Sequence, residues 1–108
     1  MTNEELIAGH NLDQRRRGLL TNSIGRREIH LRAFARYLEP RSLLDATRED
    51  VDLFLDARPI SAQTRYCWLS HLHNFYDWAD REELGAHDPT TNHPTEEEAG
   101  PPTAGVDR

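Results

Sequence analysis

The stretch SAQTRYCWLSHLHNFYDWA, residues 61–79, holds both tryptophans of the chain and most of its aromatic surface. Wound at about 100° per residue, Leu69, Leu72, Tyr76 and Ala79 fall on one stripe flanked by Trp68 and Phe75, which predicts an amphipathic helix with a wide apolar face. Ser61, two residues after Pro59, has the chemistry of an N-cap. Aromatic rings bury large areas, so this helix is the expected core former. Trp78 lies roughly 120° from the middle of the stripe on the same winding and needs a cover of its own, either the segment that begins at Glu83 or the first helix.

Working toward the N-terminus, Thr47 stands as N-cap before Glu49 and Asp50, carboxylates that favour the positive end of a helix dipole. Val51, Phe54 and Leu55 form the inward face of this helix, and Glu49, Asp52 and Asp56 an outward acidic stripe that would repel phosphates; Arg58-Pro59 closes it. Residues 42–46 are a connector in which Leu43 and Leu44 are expected to plug the core. Before it, Thr21, Asn22 and Ser23 offer caps to a helix whose apolar positions Ile24, Leu31, Phe34, Ala35 and Leu38 repeat at helical spacing until Glu39-Pro40. Arg26, Arg32 and Arg36 are predicted to project from the other side of that helix. Arg15, Arg16 and Arg17 run into Gly18, either as a solvated charged segment or as an arm that tracks phosphates, since guanidinium groups neutralise backbone charge without sequence-specific geometry. Residues 1–13 have scattered apolar positions broken by Gly9 and Asn11, and read as a short helix or a loose end.

Beyond Ala79, Gly85 reads as a helix stop, and Asp88-Pro89 with Asn92, His93 and Pro94 as an extended connector. From residue 95 the sequence TEEEAGPPTAGVDR is acidic, rich in proline and glycine and almost without apolar residues, and is expected to be disordered. The chain thus divides into an arm over 1–16, loose or partly helical, a helical domain over 17–94 and a disordered tail over 95–108. No strand pattern and no internal repeat is apparent. The fold class is all-α, a small bundle of about four helices.

The charge is unevenly placed. The net value of −6 argues against a nucleic-acid partner until the chain is split. Residues 15–44 carry eight arginines against Glu28 and Glu39, whereas residues 45–81 carry four arginines against seven aspartates and glutamates. Basic charge is therefore concentrated in one segment. All of the cations are arginines, with no lysine, and coding composition explains this as readily as guanidinium chemistry. One cysteine cannot close an internal disulfide, and there is neither a signal-type run nor a membrane span; a soluble, cytoplasmic protein is expected.

Chemistry is sparse. Cys67 and His71 are four apart on a helix but lack further ligands for zinc, and His73 points elsewhere. Asp77 with Asp80 and the run Glu96 to Glu98 have no site around them. No glycine-rich phosphate loop, nucleophile elbow or Ser, His and Asp constellation is visible. No cofactor, metal or small-molecule ligand is expected, and no membrane partner.

The order of these features resembles the N-terminal core-binding, SAM-like domain of phage integrases and other tyrosine recombinases. In that family a Leu-Ser-x-x-Thr start is followed by Tyr, Leu and Phe at steps of four, four and three; Ser23, Arg27, Leu31 and Phe34 occupy that spacing here, with Arg27 in place of the Tyr. A threonine before an acidic helix is matched by LLDATREDVDLFLDAR. Ser-x-x-Thr leading into Leu-x-x-Leu-x-x-Phe-x-x-Trp is matched by Ser61, Thr64, Leu69, Leu72, Phe75 and Trp78, and a glycine with an Asp-Pro step by Gly85 and Asp88-Pro89. The resemblance covers about residues 17–94. It implies a helical bundle that clamps duplex DNA at a recombination half-site and acts in site-specific recombination and DNA integration.

The family's catalytic domain is not expected in this chain, because Tyr37, Tyr66 and Tyr76 do not match the nucleophile's motif, so no strand cleavage is expected. Candidate DNA contacts are Arg15, Arg16 and Arg17, then Asn22, Ser23, Arg26 and Arg27 at one helix start, and Gln63, Thr64 and Arg65 at another, where unpaired N–H groups and the dipole favour phosphate. Gln63 suits an adenine edge. First-turn capping is the competing role for Ser23 and Thr64. Other recombinase subunits are a further expected partner. The alternatives are a protein-interaction module, using the acidic stripe, or a nonfunctional remnant of a truncated integrase.

Overall fold

The computed structural model describes residues 1–85 and 88–90; the expected disordered tail, with Glu96 to Glu98, and the connector residues Asn92 to Pro94 lie outside them. The described residues are helical without a strand: α1 (Asn3–Arg16), α2 (Thr21–Leu38), a short 3-10 turn (Leu43–Asp45), α3 (Arg48–Asp56) and α4 (Ala62–Arg81). The all-α, four-helix expectation is met. Among the described residues no helix is long and apolar enough to cross a membrane.

The caps of the last two helices are those expected from sequence. Ser61 accepts from the Thr64 N–H, and Thr47 forms a reciprocal capping box with Asp50. Arg41 clamps that box from the connector by donating to both oxygens of Asp50, at 3.0 and 2.9 Å. The start of α2 differs. Gly18 takes a φ of +87°, which turns the chain out of α1, and the N-cap position falls to Leu20, which has no side-chain cap bond. Thr21, Asn22 and Ser23 enter the first turn of α2 instead.

α4 is the centre of the core. Leu72, Phe75, Tyr76 and Ala79 are essentially inaccessible and pack with Leu31, Phe34 and Leu38 of α2 and with Val51, Phe54 and Leu55 of α3. The Tyr76 hydroxyl donates to the Leu43 carbonyl at 2.7 Å, pinning the connector.

The N-terminal segment is a full helix that belongs to this core. A capping box between Thr2 and Glu5 starts α1, and Leu6 and Ile7 are fully buried. Its other buried positions, His10, Asn11 and Gln14, are polar. They complete an i, i+4 stripe that apolar periodicity cannot register. Gly9 lets α1 approach α4 closely: a Cβ there would stand 3.0 Å from Trp78 Cζ2. Trp78 is thus covered by the first helix, one of the two covers its position called for.

Candidate nucleic-acid interface

The direction of each helix follows from its side-chain pairs. Along α1 and α2, Arg27 donates to Gln14, Asn11 to Glu28, and Arg32 to both Glu28 and Glu4, so the two helices are antiparallel. Gln14 also donates to Asn11, which makes the whole set one polar ladder. Gly9 meets Trp78 and Asp13 meets Arg81, so α1 and α4 run parallel. α2 and α4 are therefore antiparallel. They cross where the ring of His30 stacks on Trp68, with centroids 3.9 Å apart and planes at 14°.

This geometry separates the candidate contacts. Asn22, Ser23, Arg26 and Arg27 lie at the end of the bundle where α1 finishes, beside Arg15, Arg16 and Arg17. Gln63, Thr64 and Arg65 lie at the opposite end, on the order of 20 Å away by helix rise. The two helix starts do not share one patch, although both carry residues expected to meet DNA. They also differ in their backbone donors. The Thr64 N–H is occupied by Ser61, whereas no side chain caps the first turn of α2, leaving its N–H groups to an anion or to water.

The arginines divide by partner. Arg65 donates to Asp56 at 2.8 Å and Asp52 at 3.3 Å, so the acidic stripe of α3 neutralises it. Arg17 pairs with Asp13, Arg41 with Asp50, Arg81 with Asp77 and Asp13, and Arg32 with Glu4 and Glu28. Arg32 therefore turns into the α1 contact and away from the basic face predicted for it. Arg27 is committed to Gln14 at 3.0 Å. Arg15, Arg16, Arg26 and Arg36 are exposed and have no carboxylate within ion-pair distance among the described residues. Arg15 and Arg16 sit in the last turn of α1, where the helix dipole also favours a cation.

Asn22, Arg26, Ile29, Ala33 and Arg36 recur at helical spacing and form the outer face of α2, Ala33 half-buried and the others exposed. A seam of imidazoles borders this face. His30 and His71 share a hydrogen bond between their Nδ1 atoms at 2.7 Å, and one of the two must be the donor. Burial pushes His71 down to about 4, with His30, Arg27 and Arg26 adding to the effect. His30 is lowered by burial and then by Arg58. Near neutral pH the pair is uncharged, and the cations around it are the arginines.

Sequence reasoning did not single out Arg58 or the His30 and His71 pair. Arg36 was visible as a projecting cation of α2. Arg58 gave no signal, because its place depends on the packing of α3 against α4. Among the described residues no group of three or more His, Cys, Asp or Glu is arranged to hold a metal ion, and Cys67 is exposed.

Compared with known proteins, the chain matches no family model, no curated protein and no solved structure.

Proposed function

We propose that this protein is a duplex-DNA-binding module of the kind that precedes the catalytic domain in phage-integrase-like tyrosine recombinases, binding a recombination half-site without cleaving a strand itself. The observation that carries the reading is the set Arg15, Arg16, Arg26 and Arg36 on α1 and α2, without carboxylate partners among the described residues, in a chain whose net charge is −6. Seven acidic residues, Glu4, Asp13, Glu28, Asp50, Asp52, Asp56 and Asp77, are paired with other arginines. Arg15, Arg16 and Arg26 lie together at one corner of the bundle, and clustered guanidinium groups without carboxylate partners release counterions from a duplex.

The contact begins at the corner between α1 and α2. Arg15, Arg16 and Arg26 meet phosphates, and the uncapped first turn of α2, at Asn22 and Ser23, offers backbone N–H groups to another. Gln63 and Thr64, at the far end, are secondary to this corner, and Arg65 is not a contact. The order of helical signatures along the chain supports the recombinase assignment specifically.

The test is fluorescence anisotropy with a labelled duplex over a salt series. About four phosphate contacts predict a loss of affinity of roughly 100-fold between 50 and 200 mM salt. Changing Arg15, Arg16 and Arg26 together to Glu is expected to abolish binding while the helical circular dichroism is kept. Absence of any salt-dependent binding by the unaltered protein at low salt overturns the proposal and favours a protein-interaction module.

A further inference from the structure

A groove of about 270 Å³ opens between α2 and α3, lined by Ala33, Arg36, Tyr37, Phe54, Ala57 and Arg58. On the reading above, we propose that Arg36 and Arg58 form a second phosphate-binding point across this groove, so that a duplex backbone runs along the outer face of α2 from Arg26 to the groove.

Arg58 is held ready for such a contact. Its guanidinium lies 4.1 Å from the centroid of Phe54 and 5.0 Å from that of Trp68. Its Nε is buried without a hydrogen-bond partner, and it has no carboxylate partner among the described residues. Two rings therefore fix the plane of the cation while no acceptor among the described residues competes for it. A side chain ordered before binding loses little further entropy when a phosphate arrives. Arg36 is exposed on the facing helix and is likewise without a carboxylate. The half-exposed Tyr37 lines the same groove, its ring packed against Phe54.

The two ends of the path lie on one face. Arg26 and Arg36 are ten residues apart on α2, about 15 Å by helix rise. Between them His30, one turn beyond Arg26 on α2, stacks on Trp68, and Arg58 lies over the same indole, so both arginines border the same strip of surface. The acidic residues Asp52 and Asp56 are on the other side of α3 and are held by Arg65. A phosphate in the groove thus meets Arg36 and Arg58, with Asp52 and Asp56 held by Arg65, while Glu4 and Glu39 border Arg36 on its α1 side, outside the groove.

The experiment compares the salt dependence of duplex binding for the unaltered protein with Arg36→Gln, Arg58→Gln, Arg26→Gln and Arg48→Gln. Arg48, in the first turn of α3, is exposed and has no carboxylate partner among the described residues, and serves as the control. Arg36→Gln and Arg58→Gln are each expected to lower the magnitude of the log–log salt slope by about 0.9, uniformly across duplex sequences, with Arg48→Gln unchanged. If Arg58→Gln perturbs folding by losing its stack, Arg36→Gln decides alone, since that side chain is exposed. A normal slope for Arg36→Gln beside a reduced one for Arg26→Gln overturns the groove contact and leaves the DNA-binding reading standing. Equal losses for Arg36→Gln and Arg48→Gln also overturn it, since diffuse attraction then explains both. No binding by the unaltered protein removes the DNA-binding reading, and this proposal with it.

Discussion

The Tyr76 hydroxyl reaches 2.7 Å from the carbonyl oxygen of Leu43, deep between α4 and the connector. Both residues are almost fully inaccessible, and burial pushes the phenol well above its ordinary range. Tyr76→Phe keeps the ring and strands the carbonyl, so it is expected to cost about 1–3 kcal/mol. Urea denaturation followed by circular dichroism measures it, and a neutral result would mean that the carbonyl finds water.

His10 makes the stability depend on pH. It is 3% exposed, neither ring nitrogen has a hydrogen-bond partner, and the edges and faces of Phe75 and Trp78 surround it. Burial lowers its pKa from 6.5 to about 4; Arg27 and Arg81 add to the shift, and Asp13 opposes it. The folded state thus binds fewer protons than the unfolded state between these values. Stability is complete above about pH 6.5 and is lost as the pH falls toward 4, by on the order of 3 kcal/mol. His10→Leu is expected to flatten most of that slope, with the half-buried His71 contributing a smaller, solvent-screened remainder. An NMR titration in which His10 changes charge near pH 6.5 would contradict the prediction.

Two helical glycines should respond oppositely to alanine. A Cβ at Gly25 meets nothing within 4 Å, so Gly25→Ala is expected to stabilise by about 0.5–1 kcal/mol through helix propensity. Gly9→Ala forfeits that gain against the Trp78 indole, and Gly9→Val should destabilise by about 1–3 kcal/mol through overpacking. Thermal melts of the three variants give the order directly.

Arg26 and Arg27 are adjacent in sequence and differ in role. Arg27→Gln breaks the bond to Gln14, which is itself buried, and is expected to cost about 1 kcal/mol while leaving the salt slope of duplex binding intact. Arg26→Gln is expected to leave stability unchanged and to lower the slope by about 0.9. The reverse pattern would reassign the two side chains.

The helices that bury ordinary apolar stripes are legible from local signals. Val51, Phe54 and Leu55 face inward as their spacing predicts, and Thr47 and Ser61 cap where a hydroxyl precedes a helical run. α1 is illegible as a core element because three of its five buried residues are polar: Asn11 and Gln14 pair with Glu28 and Arg27 of α2, and His10 packs against Phe75 and Trp78 of α4. The cap of α2 was misplaced because a turn through Gly18 sets the helix start, and Leu20 has no polar side chain to announce it. For the candidate interface, the density of arginine was readable from residues 15–44. Which arginines are spoken for was not, since Arg65 meets Asp52 and Asp56, and Arg27 meets Gln14, only after the helices pack.

The ladder between α1 and α2 fixes register as well as affinity. Sliding α1 by one turn in either direction would bring Glu5 or Asp13 under the Trp78 indole in place of Gly9. Slid the first way, Glu4 would also move toward Glu28, carboxylate against carboxylate. Leucine-rich helices tolerate such slips because one apolar contact resembles the next. Here each rung names its partner, and competing alignments are excluded by charge and by size. The position of Arg15 and Arg16 relative to Arg26 is therefore set by contacts at other residues of the two helices, and a change at Gly9 or Glu28 should reposition those cations without touching them.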